Sequence, residues 1–147
     1  MSSFSALQPE QINFVNVSIK CNYDQDVSSG TLMTNVEFRG SAHHEDKRNW
    51  MLNVRVSLKR ANENPIPYEG VIECVGIFKV SPQWPEDQIE KLVMVNGTSL
   101  VYGSIREMIC SITARSAFNM LTLPSQSFLE AFEKHKQSNP RVPASTT

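Results

Sequence analysis

Metal-ligand side chains stand together in one place, His43-His44-Glu45-Asp46. Imidazoles and carboxylates are zinc donors, but a zinc site draws its ligands from separated parts of a chain. Here the other histidine, His135, lies far downstream. The run reads as a solvated hairpin loop, and no metal is expected. Glu73 and Glu107 are carboxylates set among apolar residues. Burial raises a carboxyl's pKa and can make it a general acid. Neither has a second catalytic group nearby, so a surface or paired carboxylate is the simpler reading. Cys21, Cys74 and Cys110 are far apart and form no CxxC pair. They read as small apolar residues of a reducing cytoplasm. No GxSxG elbow, HExxH helix or glycine-rich phosphate loop occurs, so no cofactor is expected.

What the chain does offer is apolar side chains in awkward places. Tyr23, Val27, Leu32 and Met33 flank a turn-rich connection. Met120, Leu121 and Leu123 sit in a segment that breaks helical spacing, and Phe128 and Phe132 stripe a short last helix. Any one of them can simply pack a core. Together they can line a groove for an extended chain. Methionine is pliable, and aromatic rings supply contact area at low entropic cost.

The elements that must position these residues follow from period. The chain has 147 residues, 40% hydrophobic and 20% charged, with a formal net charge of −1. That is about one domain's worth of sequence, able to bury a core without staples. The charge balance argues against nucleic-acid binding and against a polybasic membrane anchor. No apolar run approaches the roughly 20 residues of a membrane-spanning helix, and the first ten residues do not read as a secretory signal. Val15, Val17, Ile19, Cys21 and Tyr23 alternate with polar residues, while Ile12 and Phe14 have the opposite parity. A parity break inside one strand implies a bulge near Phe14-Val15. Leu32, Val36 and Phe38 mark a second strand, and Trp50, Leu52, Val54, Val56 and Leu58 a third. Tyr68 to Val80 is apolar at both parities, with Val71, Val75 and Ile77 on the second face. Such a strand is covered on both sides or makes a subunit contact.

After Pro82 the period changes. Pro85, Glu86 and Asp87 suit a helix start, and Gly97 is expected to end that first helix. Val101, Tyr102, Ile105, Met108, Ile109 and Ile112 predict a stronger helix from about Ser99. Ser127-Phe128-Leu129-Glu130 is a capping-box sequence opening the last helix. Strands followed by helices give α+β: a four-stranded antiparallel sheet with helices packed on one face. The domain is expected over residues 1–136, with a flexible tail over 137–147.

Beyond these patterns, Ser99 to Arg115, with its Arg106-Glu107 pair, resembles the first long helix of SecB, the bacterial export chaperone. Phe118, Leu121, Leu123 and Phe128 fall where that family has its Phe-Pro, Leu-x-Leu and Asn-Phe segment. Gly76-Ile77-Phe78 matches the Gly-Ile-Phe of its fourth strand. The order of elements agrees across roughly residues 10–135. Gly103, Ser116 and Asn119 depart from the family's proline, glycine and proline. Val71 stands where SecB proteins carry a glutamate that docks the translocase motor. This divergence is similar to that of SecB-like chaperones of toxin–antitoxin modules, whose client is an antitoxin. The resemblance implies a SecB-like fold and an ATP-independent holdase for unfolded clients. It also implies a homotetramer, a dimer of dimers, with Val71, Val75, Ile77, Ile105, Ile109 and Ile112 at the interface. A general export chaperone serving the Sec motor is the first alternative. A small α+β enzyme without a recognisable motif is the second.

Overall fold

In a computed structural model, which describes residues 5–138, the sheet comprises β1 (Leu7–Cys21), β2 (Leu32–Ala42), β3 (Asn49–Arg60) and β4 (Tyr68–Val80). The strand order is β1-β4-β3-β2 and every pairing is antiparallel. Three strands follow one another as hairpins, and β1 crosses the sheet end to close a Greek key. The expected bulge is present. The β1–β4 register slips between Phe14 and Asn16, and again between Pro9 and Gln11. Val15, the extra residue, is left 57% exposed. The crossing connection, residues 22–31, is tied down by Asn22, which is fully buried. Its backbone N–H donates to Pro67 O at 2.9 Å, and its side-chain amide donates to Ile66 O at 2.9 Å and Glu69 Oε1 at 3.1 Å.

Helices cover one face only. A turn of 3₁₀ helix, Glu86–Gln88, leads into α1 (Ile89–Lys91), a π-helical segment (Leu92–Gly97) and α2 (Thr98–Thr113), with no break between them. The last helix, α3, is Leu129–Ser138. The core lies between the sheet and this helical run: Leu52, Val54, Ile72 and Phe78 from the strands meet Val93, Val101, Ile105 and Ile109 from the helices. Cys74 is buried there too, and burial pushes its thiol up to about 11. It stays neutral and packs as the small apolar group expected.

Two details correct the expectations. The proposed tail begins inside α3, which extends to Ser138, and residues 139–147 lie outside the described region. Gly97 does not end a helix. It sits in ordinary right-handed helical conformation, and the chain runs straight through it. Its role is close packing: a Cβ there would stand 2.7 Å from Leu52 Cδ1. Gly103 is the contrasting case, because nothing lies within 4 Å of a Cβ built on it. Gly97→Ala should therefore cost about 1–3 kcal/mol through overpacking. Gly103→Ala should gain about 0.5–1 kcal/mol of helix propensity. Urea midpoints of the two variants, moving in opposite directions, check both.

Candidate functional site

The segment after α2 is apolar yet has no regular structure, so its backbone groups need partners. Several come from α2 and β4. Arg106 Nε donates to Leu123 O at 2.9 Å, the Tyr102 hydroxyl to Pro124 O at 2.8 Å, and the Tyr68 hydroxyl to Asn119 O at 3.0 Å. The Thr113 hydroxyl donates to Ile109 O at 2.7 Å and accepts from the Leu121 N–H at 2.8 Å. Thr113 is fully buried. Thr113→Val keeps its shape but leaves that N–H without an acceptor. It should cost about 1–3 kcal/mol, read as a lowered urea midpoint, whereas Thr113→Ser should stay near the parent.

These pins hold the segment away from the sheet end and leave a groove of about 490 Å³. It is lined by Gly30, Leu32, Pro67, Tyr68, Ala117, Phe118, Asn119, Met120 and Leu121. None of these residues is charged. Tyr68 and Phe118 meet edge to face, with ring centroids 6.0 Å apart. Burial raises the Tyr68 hydroxyl's pKa, with Cys21 adding to the shift, so the hydroxyl remains a donor to the loop. Met120 stands at the mouth, 54% exposed. With no charged side chain in its lining, the groove is suited to taking apolar side chains out of water.

The second cavity is of the opposite kind. It measures about 270 Å³ and is lined by Glu37, Arg39, Asn53, Arg55 and Glu73 beside Phe38, where the strands alternate away from the helices. Glu73 there accepts from Asn53 Nδ2 at 2.8 Å, while Glu107 lies exposed on α2. The two carboxylates belong to different elements and face no common pocket. His43 and His44 stack at 4.6 Å on their hairpin loop, and the Glu45 N–H donates to His43 Nδ1 at 3.1 Å. Among the described residues no group of three His, Cys, Asp or Glu side chains is placed to hold a metal.

The groove gathers Leu32, Met120 and Leu121 from the residues singled out in the sequence. Val27 is half-buried and Tyr23 is 75% exposed on the crossing connection, outside the lining. Three placements need correcting. Leu123, Phe128 and Phe132 are buried in the chain's own interior, with Phe128 held between Phe38 and Tyr102. Helical spacing marks an apolar stripe but does not say what covers it. Met33 is exposed on the opposite side of the sheet from Leu32, because neighbouring strand residues alternate. Ile105 and Ile109 are fully buried under the sheet, so they cannot meet a partner as the interface reading required. Val71, Val75, Ile77 and Ile112 are half-buried. Tyr68, Phe118 and Pro67 also line the groove, beyond the residues singled out in the sequence. The aromatic pair flanking the loop's methionine is the signal that marks them.

The profile of the family described as "Preprotein translocase subunit SecB" matches residues 8–139. The chain belongs to the SecB family. Its fold is similar to that of the Mycobacterium tuberculosis SecB-like chaperone solved in complex with a ChAD peptide from the HigA1 antitoxin. That match has a TM-score of 0.62 and 18% identity, and covers 83% of this chain and 91% of that one. A protein of unknown function from Streptococcus agalactiae matches with a TM-score of 0.42 and 12% identity, over 80% of this chain and 96% of the other. A search of curated proteins returns no match. As a SecB-family member the chain is a chaperone and not an enzyme, which sets the small-enzyme alternative aside. The four-stranded antiparallel sheet with helices on one face agrees with the α+β expectation.

Proposed function

We propose that this SecB-family chain is an ATP-independent holdase for an unfolded or aggregation-prone segment of a dedicated client, such as an antitoxin. The observation that carries this reading is the uncharged groove walled by Leu32, Tyr68, Phe118, Met120 and Leu121. Burial of client side chains there contributes roughly 25 cal/mol per Å² before the cost of ordering the client. The antitoxin-bound relative supports the choice of client class.

The working assembly in this reading is a dimer of dimers in the cytoplasm. Val71, Val75 and Ile77, half-buried on the face the helices leave uncovered, supply apolar area for subunit contact. Among the described residues no helix is long and apolar enough to cross a membrane. Delivery to the Sec motor is the less favoured reading, because Val71 presents no carboxylate at the position the resemblance assigns to motor docking.

The test is light scattering of a chemically unfolded protein diluted into buffer, with and without this chain and with no nucleotide. Stoichiometric suppression of aggregation is expected. Unchanged scattering at every ratio would leave either a chaperone of one client only or no chaperone, with the family describing the fold alone. Binding of the purified Sec motor would move the export reading ahead of the dedicated one.

A further inference from the structure

The two walls of the groove are held in different ways. Gly30 and Pro67 belong to a wall made of two loops packed on each other. A Cβ on Gly30 would stand 1.8 Å from Pro65 O, so the loops leave no space between them. The buried Asn22 ties the same loops together through Pro67 O, Ile66 O and Glu69 Oε1. The facing wall, Ala117 to Met120, is fastened at its two ends. The Ser116 N–H donates to Thr113 O at 3.1 Å, and the Leu121 N–H donates to the Thr113 hydroxyl at 2.8 Å. Among the described residues, the polar backbone contacts between those ends all go to one side chain, Tyr68. Its hydroxyl donates to Asn119 O at 3.0 Å, and the Phe118 N–H faces the same oxygen.

That hydroxyl has one proton and two acceptors. Thr113 O lies 3.5 Å from it, at the limit of a hydrogen bond, against 3.0 Å for Asn119 O. The two carbonyls differ in what else can serve them. Thr113 is fully buried, and its carbonyl keeps the Ser116 N–H when the hydroxyl turns to Asn119. Asn119 is exposed, so water can replace the hydroxyl on its carbonyl if the wall moves outward. Tyr68 is only 3% exposed, and a buried hydroxyl without an acceptor is costly. Here it has an acceptor with the wall in either place.

We propose that Tyr68 sets the width of the groove, and with it the size of client side chain that the groove admits. With the hydroxyl on Asn119 O the groove is narrow and takes aliphatic side chains. With the hydroxyl on Thr113 O the wall from Ala117 to Met120 stands outward and an aromatic ring fits. A client that binds the wide form better draws the chain toward it. Tyr68 is a positioning residue in this scheme, because it acts through the wall that it holds. The inference rests on the groove being the client site and adds to that reading a residue that selects among clients.

The test is an NMR titration of the full chain with two short peptides. They differ only in carrying valine or tryptophan at the same positions, and the backbone carbonyls of the chain are labelled with carbon-13. The tryptophan peptide is expected to move the Asn119 and Thr113 carbonyl resonances in opposite directions, as one loses the hydroxyl and the other gains it. The valine peptide should shift resonances of the groove lining without this opposed pair. Tyr68→Phe keeps the ring and removes the tether of the narrow form. Its preference for the tryptophan peptide over the valine peptide should rise roughly three- to tenfold above the parent's. Equal loss of affinity for both peptides, or an unchanged preference, overturns the proposal and leaves the groove as the client site. So does a bound tryptophan peptide with no opposed movement of the two carbonyls, and that signature decides alone if the variant does not fold. If neither peptide moves any resonance of the groove lining, the groove is not the client site and the width proposal falls with it.

Discussion

Phe128→Asp is expected to unfold the chain rather than to weaken its hold on a client. Phe128 is 2% exposed, and its ring meets Phe38 of β2 at 5.3 Å and Tyr102 of α2 at 5.5 Å, both edge to face. It joins the edge strand, the long helix and the start of α3, where the Phe132 N–H donates to Phe128 O at 2.9 Å. Truncation to alanine alone should cost about 3–5 kcal/mol. That is a large share of the roughly 5–15 kcal/mol by which a domain is stable. An aspartate adds a carboxylate where the ring partners Phe38 and Tyr102 are uncharged, and burial of a charge costs several kcal/mol more. Circular dichroism should show no cooperative melt for Phe128→Asp and a melt lowered by on the order of 10 °C for Phe128→Ala. A Phe128→Asp variant that melts like the parent and has lost only its client would return Phe128 to the groove.

Met120→Asp should do the reverse. With Met120 54% exposed at the groove mouth, a carboxylate there stays hydrated in the empty chain. The change in stability should fall within about 0.5 kcal/mol, the range of ordinary surface substitutions. A seated client segment would strip water from that charge with no cation in the groove lining to meet it. A penalty of about 1.4 kcal/mol is already tenfold in affinity, and desolvation of a charge readily exceeds it. Anisotropy of a labelled unfolded probe should therefore show at least a tenfold loss of affinity with the melting temperature unchanged. Equal affinity would place the client elsewhere on the chain.

The contrast between these variants reflects what sequence patterns carry. Strand alternation gave up the four strands, and the parity break between Phe14 and Val15 located the bulge, because side-chain direction in a strand is a local property. Leu32, Met120 and Leu121 were legible as groove residues because apolar side chains beside turns and irregular segments have few local ways to be buried. Phe128, Phe132, Leu123, Ile105 and Ile109 were legible as buried but not by what: a helical stripe reads the same whether its own sheet or another subunit covers it. Gly97 was ambiguous for a related reason. A glycine can end a helix or let it approach a sheet, and only the position of Leu52 decides between the two. Tyr68 is legible only as the start of the fourth strand, because nothing in β4 reports that its hydroxyl reaches Asn119 across the fold.

The π-helical segment Leu92–Gly97 has a consequence for the angular phase of the helical run. The inward residues Ile89, Val93, Gly97, Val101, Ile105, Ile109 and Thr113 recur at every fourth position, and all are buried. At 3.6 residues per turn, a four-residue repeat overshoots a full circle by about 40° at each step. A uniform α-helix would rotate one end of that stripe off the sheet. The wider π turn, bonded i to i+5, advances less per residue and takes back part of the overshoot midway. Ile89 and Ile109 thus press on the same sheet from opposite ends of one rod. A one-residue deletion inside Leu92–Gly97 that restored ordinary α-helical bonding would remove one step while raising the rotation of those that remain, so the two changes offset each other and Ile89 should keep close to its present phase relative to α2.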